Sequence, residues 1–279
     1  MFLFLHSIDM VVFPNAKINL GLHIIGKRPD GYHNIETVFY PIPLRDALEI
    51  IPAPDSIFNF RTSGLKIQGK ETNNLCNKAY QLLSKDFSLP QIHMHLHKVI
   101  PVGAGLGGGS SDGAFTIKLL NAIFDLRLSV GQMQDYARML GSDCAFFIQN
   151  RPLYGYEKGD RFEPVSLDLS GYYIAVIVPD IHISTMDAYT SILPSIPDIS
   201  ITEIIKEPIE KWRFLLTNDF EPSVFHKHLV VRKIRDQLYD CGAVFSGMSG
   251  TGSAVYGIFK ELPALEGRFP GCYIFPDPG

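Results

Sequence analysis

The sequence predicts a two-domain α/β chain of the mixed, α+β kind, and three observations predict it. Residues 92–100 alternate as a strand, with Ile92, Met94 and Leu96 apolar and His93, His95 and His97 between them. That strand runs into PVGAGLGGGSSDG at 101–113, after which Ala114, Ile117, Leu120, Ile123 and Phe124 recur at helical spacing. A second glycine-rich turn at 246–253 precedes another strand at 254–259, well beyond a break near 168–171. At 279 residues the chain can bury two cores, so the domains are expected at 1–168 and 169–279.

In chain order, residues 11–25, VVFPNAKINLGLHII, alternate as one strand with Val12, Ile18, Leu20, Leu22 and Ile24 on the apolar side. Asn15, Lys17 and Asn19 share the other face. A lysine between two amides suits a ligand pocket, or equally an edge strand that a charge keeps from pairing. The turn-rich GKRPDGYHN at 26–34 gathers basic, aromatic and imidazole groups, the composition of a binding wall. Residues 34–40 and 47–51 read as further strands, joined by a connection holding Pro41 and Pro43, and Phe58-Asn59-Phe60 adds another. A helix capped by Asn73 or Asn74 then runs to Leu83.

The three alternating histidines read as a solvated strand face, since no further zinc ligand stands nearby. Lys98, next to the glycine loop, is placed to contact a nucleotide. Residues 133–140 form a helix ending in GSDCAFF at 141–147, where Asp143 is either a helix N-cap or an acid aimed into a cleft. A strongly apolar strand follows at 172–178, then a loop marked by Pro194 and Pro197 and an amphipathic helix at 230–238.

The glycine loop carries the chemistry. Five glycines lie within 103–109, between a strand and a helix, where unpaired backbone N–H groups and the helix dipole favour an anion. Gly103, Gly105 and Gly108 satisfy G-x-G-x-x-G, but a dinucleotide fold needs a second strand with an acidic end about 20 residues on. Asp125-Leu126-Arg127-Leu128-Ser129 leads into another helix instead. The P-loop lysine is replaced by Gly109, and neither H-R-D nor D-F-G occurs downstream. What remains is a phosphate loop whose Ser110 and Ser111 can donate hydroxyls to phosphate or help hold magnesium.

The net charge of −4 and a pI near 6.1 give no reason to expect nucleic acid, and small-molecule chemistry fits better. Cys76, Cys144, Cys241 and Cys272 lack C-x-x-C spacing, which argues for reduced thiols in a cytoplasm. The opening MFLFLHSIDMVVF has no basic start, no small-residue cleavage site and too little length to span a bilayer. Met10 is an alternative start.

Six segments in order resemble the GHMP family of small-molecule kinases: PNAKINLGLHIIGKRPDGYHNIETVF, PVGAGLGGGSSDGA, GSDCAFF, PDIHISTMDAY, NDFEP and MSGTGSAVYGIF. The resemblance implies an N-terminal domain like domain 2 of ribosomal protein S5 and a ferredoxin-like C-terminal domain. It implies ATP-dependent phosphorylation of an alcohol, with magnesium, and the GYH of the first segment points to members whose substrate carries a cytidine diphosphate. Lys17 and Asp143 match the catalytic pair, with Asp143 taking the hydroxyl proton and Lys17 stabilising charge. Asn19 matches a polar group near the accepted hydroxyl. Tyr32 and His33 match the cytosine-holding positions, and Tyr189 a second aromatic. Asn74 and Lys98 align with the adenine side, and Pro101, Gly103, Gly105, Leu106, Gly107, Gly108, Gly109, Ser110 and Ser111 with the triphosphate. Thr185 falls among the substrate-binding positions, and Thr251 and Gly252 in the loop that approaches the substrate phosphates. The segment 191–213 matches nothing in the pattern.

Rival readings are a family member acting on mevalonate, homoserine or a sugar, which the DGYH loop argues against, and a nucleotide-binding regulator without catalysis. The Lys17 and Asp143 pair argues against the second. An oxidoreductase fails on the missing second strand.

Overall fold

The structure is a computed structural model describing residues 10–53, 55–190 and 192–276. In chain order its elements are β1 (Val11–Val12), β2 (Asn15–Lys27), β3 (His33–Arg45), β4 (Ala47–Pro52), β5 (Asn59–Gly64), α1 (Leu75–Asp86), β6 (Ile92–Lys98), α2 (Gly108–Ile123), α3 (Val130–Leu140) and α4 (Cys144–Gln149). There follow β7 (Leu153–Tyr156), β8 (Arg161–Pro164), β9 (Tyr173–Pro179), α5 (Thr185–Thr190), α6 (Ile201–Ile204), α7 (Ile209–Leu215), α8 (Glu221–Lys227), α9 (Leu229–Asp240), β10 (Phe245–Met248), β11 (Val255–Phe259) and β12 (Cys272–Pro276). Packing groups them into two units. Among the described residues, one comprises those through Ala16, Arg45–Val102 and Gly108–Asn150, the other Lys17–Leu44, Gly103–Gly107 and those from Arg151 on. The expected boundary near 168 falls inside the second unit, and as a division of family domains it stands as a proposal.

In the first unit a sheet of order β1-β4-β6-β5 packs one apolar face inward. The period of two in β6 buries Ile92, Met94 and Leu96, each worth about 1.5–3 kcal/mol on full burial. Helix α1 links the parallel neighbours β5 and β6 as a crossover and packs on α2. The histidines of β6 lie on the other face: His95 and His97 share the Ser63 hydroxyl at 2.9 and 3.0 Å, and His93 meets Asp55 at 3.0 Å. Among the described residues no group of three His, Cys, Asp or Glu side chains is placed to hold a metal.

Three sequence expectations need correction. The strand at 11–25 is two strands, because Phe13 and Pro14 interrupt it. β1 pairs with β4, while β2 joins β3 in a different sheet. The expected connection at Pro41 and Pro43 is instead the continuation of β3. The pairing of β3 with β7 covers only residues 37–39, so the missing proline N–H groups cost no ladder bond there, while Ile42 and Leu44 point inward. Helix α3 begins three residues early, since Ser129 and Gln132 form a capping box.

The second unit holds two sheets, β2-β3-β7-β8 and the antiparallel β10-β11-β9-β12. The latter order is that of a ferredoxin-like sheet, with helices α5 to α9 between β9 and β10. Its core joins Ala175, Ile177, Phe220, Val224, Val231, Ile234, Leu238, Val255 and Phe259. No helix among the described residues is long and apolar enough to cross a membrane. The four cysteines are free. The first nine residues, and with them the alternative-start reading, lie outside the described residues, as does Ser191 of the unmatched segment.

Candidate active site

The second unit organises Lys17. Strand β2 is buried on both faces from Asn15 to Ile24, so Lys17, 3% exposed, is no solvent-facing gatekeeper. Its backbone N–H donates to Leu106 O at 2.9 Å, which ties β2 directly to the glycine loop. Its ammonium donates to Asn19 Oδ1 at 2.5 Å and to Gly105 O at 3.0 Å, and lies 5.4 Å from the Phe39 ring centroid. Asn19 donates in turn to Thr37 Oγ1 at 3.0 Å. Ser249 donates its hydroxyl to Gly105 O at 2.8 Å and accepts the Asn19 N–H at 3.2 Å. Gly105 has φ +81° and a Cβ there would sit 2.1 Å from Ser249 O, so only glycine lets the two loops approach. Gly103 lies against the His182 ring, and Gly107 ends this unit's part of the loop.

The aromatic residues are partly brought together. His33 and Tyr189 stack with centroids 4.9 Å apart and planes 25° from parallel. A base held between two rings needs about 7 Å, two contact distances, so these rings must part to admit one. Tyr32 stands outside that stack, 62% exposed, with the Lys158 ammonium 5.2 Å from its ring centroid. Thr185 and Thr251 approach through their hydroxyls at 3.5 Å. A Cβ on Gly252 would meet Met248 Sδ at 2.7 Å.

The first unit carries the remainder. Gly108 opens α2, where a Cβ would lie 2.8 Å from Ile100 and 2.9 Å from Lys98 Nζ. Lys98 is 2% exposed, and its ammonium donates to Asp46 and, at 2.8 Å, to Asp112 Oδ2. Burial works against that charge, but the two carboxylates outweigh it and hold the ammonium's pKa above its ordinary value. Burial pushes Asp112 up, aided by the Asp46 charge and opposed by Lys98. The side-chain charge expected to face a nucleotide is therefore spent behind the loop. Asp46 also accepts the Val99 and Ile100 N–H groups at 2.6 and 2.8 Å, fixing the chain as it enters Pro101.

Asn74 caps α1, accepting the Cys76 N–H at 2.9 Å. Gly109 is exposed with open space where a Cβ would stand, Ser110 hydrogen-bonds Cys144, and the fully buried Ser111 hydroxyl has no hydrogen-bond partner among the described residues. Asp143 precedes α4 and makes no capping hydrogen bond to it, so its carboxylate does not serve as the N-cap the sequence left open.

Asp46, Asp112 and Ser249 escaped the sequence reading. Asp46 shows there only as a lone carboxylate between two strands, and nothing local ties it to Lys98, 52 positions on. Ser249 and Asp112 were visible as polar residues inside glycine-rich turns.

The N-terminal domain profile of the GHMP kinases matches residues 74–151, and their C-terminal profile residues 201–267. A Bacteroides thetaiotaomicron protein named 4-diphosphocytidyl-2-C-methyl-D-erythritol kinase is 53% identical over 268 residues, covering 95% of this chain and 98% of its own. A Cytophaga hutchinsonii protein of the same name is 52% identical over 255 residues, covering 91% and 94%. A crystal structure of 4-(cytidine 5'-diphospho)-2C-methyl-D-erythritol kinase superposes with a TM-score of 0.76 at 30% identity, covering 89% of this chain and 90% of that one. With both domain profiles matched and more than half of the residues shared with these relatives along nearly the whole chain, the protein belongs to the GHMP kinases and, within them, to the 4-diphosphocytidyl-2-C-methyl-D-erythritol kinase family.

Proposed function

We propose that the protein transfers the γ-phosphoryl group of ATP to the 2-hydroxyl of 4-diphosphocytidyl-2-C-methyl-D-erythritol, giving the 2-phosphate and ADP in non-mevalonate isoprenoid synthesis. The observation that carries this reading is the burial of Lys17 with its ammonium on Asn19 and on the main chain of the glycine loop. A cation so held is fixed beside the loop that takes a triphosphate, where it stabilises charge without reorganising. Phosphoryl transfer needs positioning and charge neutralisation above all.

Asp143 is assigned as the group that accepts the hydroxyl proton, and Asn19 as the polar contact that orients the hydroxyl and the lysine together. The loop from Gly103 to Ser111 supplies backbone donors to the triphosphate, with Pro101 and Leu106 framing it. Lys98 acts from behind the loop, and Asn74 borders the adenine side. The site also fits magnesium: the orphaned Ser111 hydroxyl is a ready oxygen ligand, and this ion takes few protein ligands besides phosphates. When bound it neutralises the phosphate charge. His33 and Tyr189 are assigned to the cytosine, Tyr32 to its outer edge, and Thr185, Thr251 and Gly252 to the diphosphate. The free cysteines are in keeping with a cytoplasmic enzyme.

The test is ADP release with magnesium-ATP and diphosphocytidyl-methylerythritol, mevalonate, homoserine or galactose. Turnover on the cytidylated alcohol alone is expected. Turnover on another alcohol would keep the phosphotransfer chemistry and overturn the substrate. Nucleotide binding with no turnover on any of them would point to a regulator.

A further inference from the structure

The segment 217–221 holds two parts of the second unit in place, and no step of the proposed reaction uses it. On one side Leu22 N–H donates to Thr217 O and Asp219 N–H to Leu22 O, both at 2.9 Å, while Asp219 Oδ2 accepts the Ile24 N–H at 2.7 Å. These contacts pin β2, the strand of Lys17. On the other side Asn218, 5% exposed, donates to Met248 O at 2.9 Å and to Gly250 O at 2.8 Å, and its Oδ1 accepts the Phe220 N–H at 3.0 Å. Glu221 accepts the Met248 N–H at 2.8 Å.

The two carbonyls determine where the loop's amides point. In a trans peptide the C=O and the following N–H are directed oppositely, so turning Gly250 O toward Asn218 turns the Thr251 N–H away from it. Among the described residues that N–H has no hydrogen-bond partner. Gly250 and Gly252 flank it with φ of +58° and +86°, the left-handed turns of a backbone that offers amides to an anion. The Thr251 hydroxyl stands 3.5 Å from that of Thr185, which shares a face of α5 with Tyr189, one helical turn on. Tyr189, the ring assigned to the base, therefore lies one turn of α5 from the residue whose hydroxyl meets that of Thr251.

We propose that Asn218 is a positioning residue for the substrate diphosphate: by holding the carbonyls of Met248 and Gly250 it presents the Thr251 N–H to a phosphate oxygen. The inference rests on the cytidine diphosphate reading above and adds a determinant of how that site is built. Asn218 itself touches no substrate atom.

The discriminating variant is Asn218→Asp. It keeps the volume and the acceptor for Phe220 N–H but replaces the two donated hydrogens with an oxygen facing two carbonyls. Calorimetric titration with cytidine diphosphate and with cytidine, on wild type and variant, reads the effect. The expected result is a tenfold or larger rise in Kd for cytidine diphosphate with cytidine unchanged, and a matching rise in KM for the cytidylated alcohol with KM for ATP unaltered. Unchanged cytidine diphosphate affinity, or an equal loss for both ligands, overturns the role of Asn218. Failure of wild type to bind either ligand overturns the nucleoside diphosphate reading and this inference with it. Should the variant not fold, the Thr251 amide resonance of wild type decides: it is expected to shift with cytidine diphosphate and not with cytidine, and a resonance unmoved by cytidine diphosphate overturns the proposal.

Discussion

Replacing Asp46 with alanine tests whether the glycine loop is held from behind. The carboxylate is 1% exposed and takes three donors, the N–H groups of Val99 and Ile100 and the Lys98 ammonium. Ile100 is fully buried, so its amide loses its partner with no water to replace it, at about 1–3 kcal/mol. Val99 is only half-buried and recovers part of the same loss from solvent. Breaking a buried ion pair costs about 3–5 kcal/mol when the remaining charge is stranded, but Lys98 keeps Asp112 and the contribution falls below that range. Asp46→Ala is thus expected to lose about 3–5 kcal/mol, a large share of a typical 5–15.

Asp112→Asn should behave differently. Burial already drives Asp112 toward its neutral form, and the amide imitates that form, so the loss at neutral pH should stay under about 1 kcal/mol. With the folded pKa raised, the folded chain binds more protons than the unfolded one from the ordinary carboxylate range upward. Stability present below that range is lost as pH rises through the raised value, and Asp112→Asn removes this decline. Urea unfolding of the three proteins at steps from about pH 5 to about pH 9 measures both effects. A loss below about 1 kcal/mol for Asp46→Ala, or an equal loss for the two variants, would refute the reasoning.

Asp143→Asn should lower kcat roughly a hundredfold or more with ATP affinity retained, and a variant turning over near the wild-type rate removes Asp143 from the chemistry. Lys17→Met should also cut kcat; because it strips Gly105 O and Asn19 of a donor, KM for ATP should rise too, and an unchanged KM would show the loop does not depend on it. Tyr189→Ala should weaken cytidine binding by about 1–3 kcal/mol, measured by calorimetry, and unchanged affinity would take Tyr189 out of the base site. Burial pushes Glu221 from an ordinary 4.5 up to about 7. The raised value means stability is lost as pH climbs through that window, by up to about 3 kcal/mol and less where water reaches the carboxyl. Glu221→Gln, which keeps an acceptor for Met248 N–H, should flatten the slope in urea titrations, and an identical slope would dismiss Glu221 as its source.

Local pattern alone determined the elements around the glycine loop. Alternation in β6, the run of glycines and the helical spacing after it are all written within about twenty residues, the range over which periodicity speaks. The same locality explains the errors. Reading 11–25 as one strand ignored that Pro14 breaks a ladder, and the proline-marked connection ignored that Pro41 and Pro43 lie where β3 has no β7 partner. The resemblance singled out Lys17 and Asp143, but whether Lys17 guarded an edge and whether Asp143 capped a helix were undecidable from residue type.

Only the tertiary structure decided those points, by burying Lys17 on Asn19 and Gly105 and by placing Asp143 at the start of α4 without a side-chain capping hydrogen bond. It also turned Lys98 from an expected nucleotide contact into the centre of a buried triad with Asp46 and Asp112, 52 and 14 positions away. Asn218 reaches Gly250 across 32 positions in the same way. The physical reason is one of range. Helix and strand propensities act between neighbours a few residues apart, whereas hydrogen bonds and ion pairs act between whatever the chain brings within about 3 Å, and no local pattern records which residues those are.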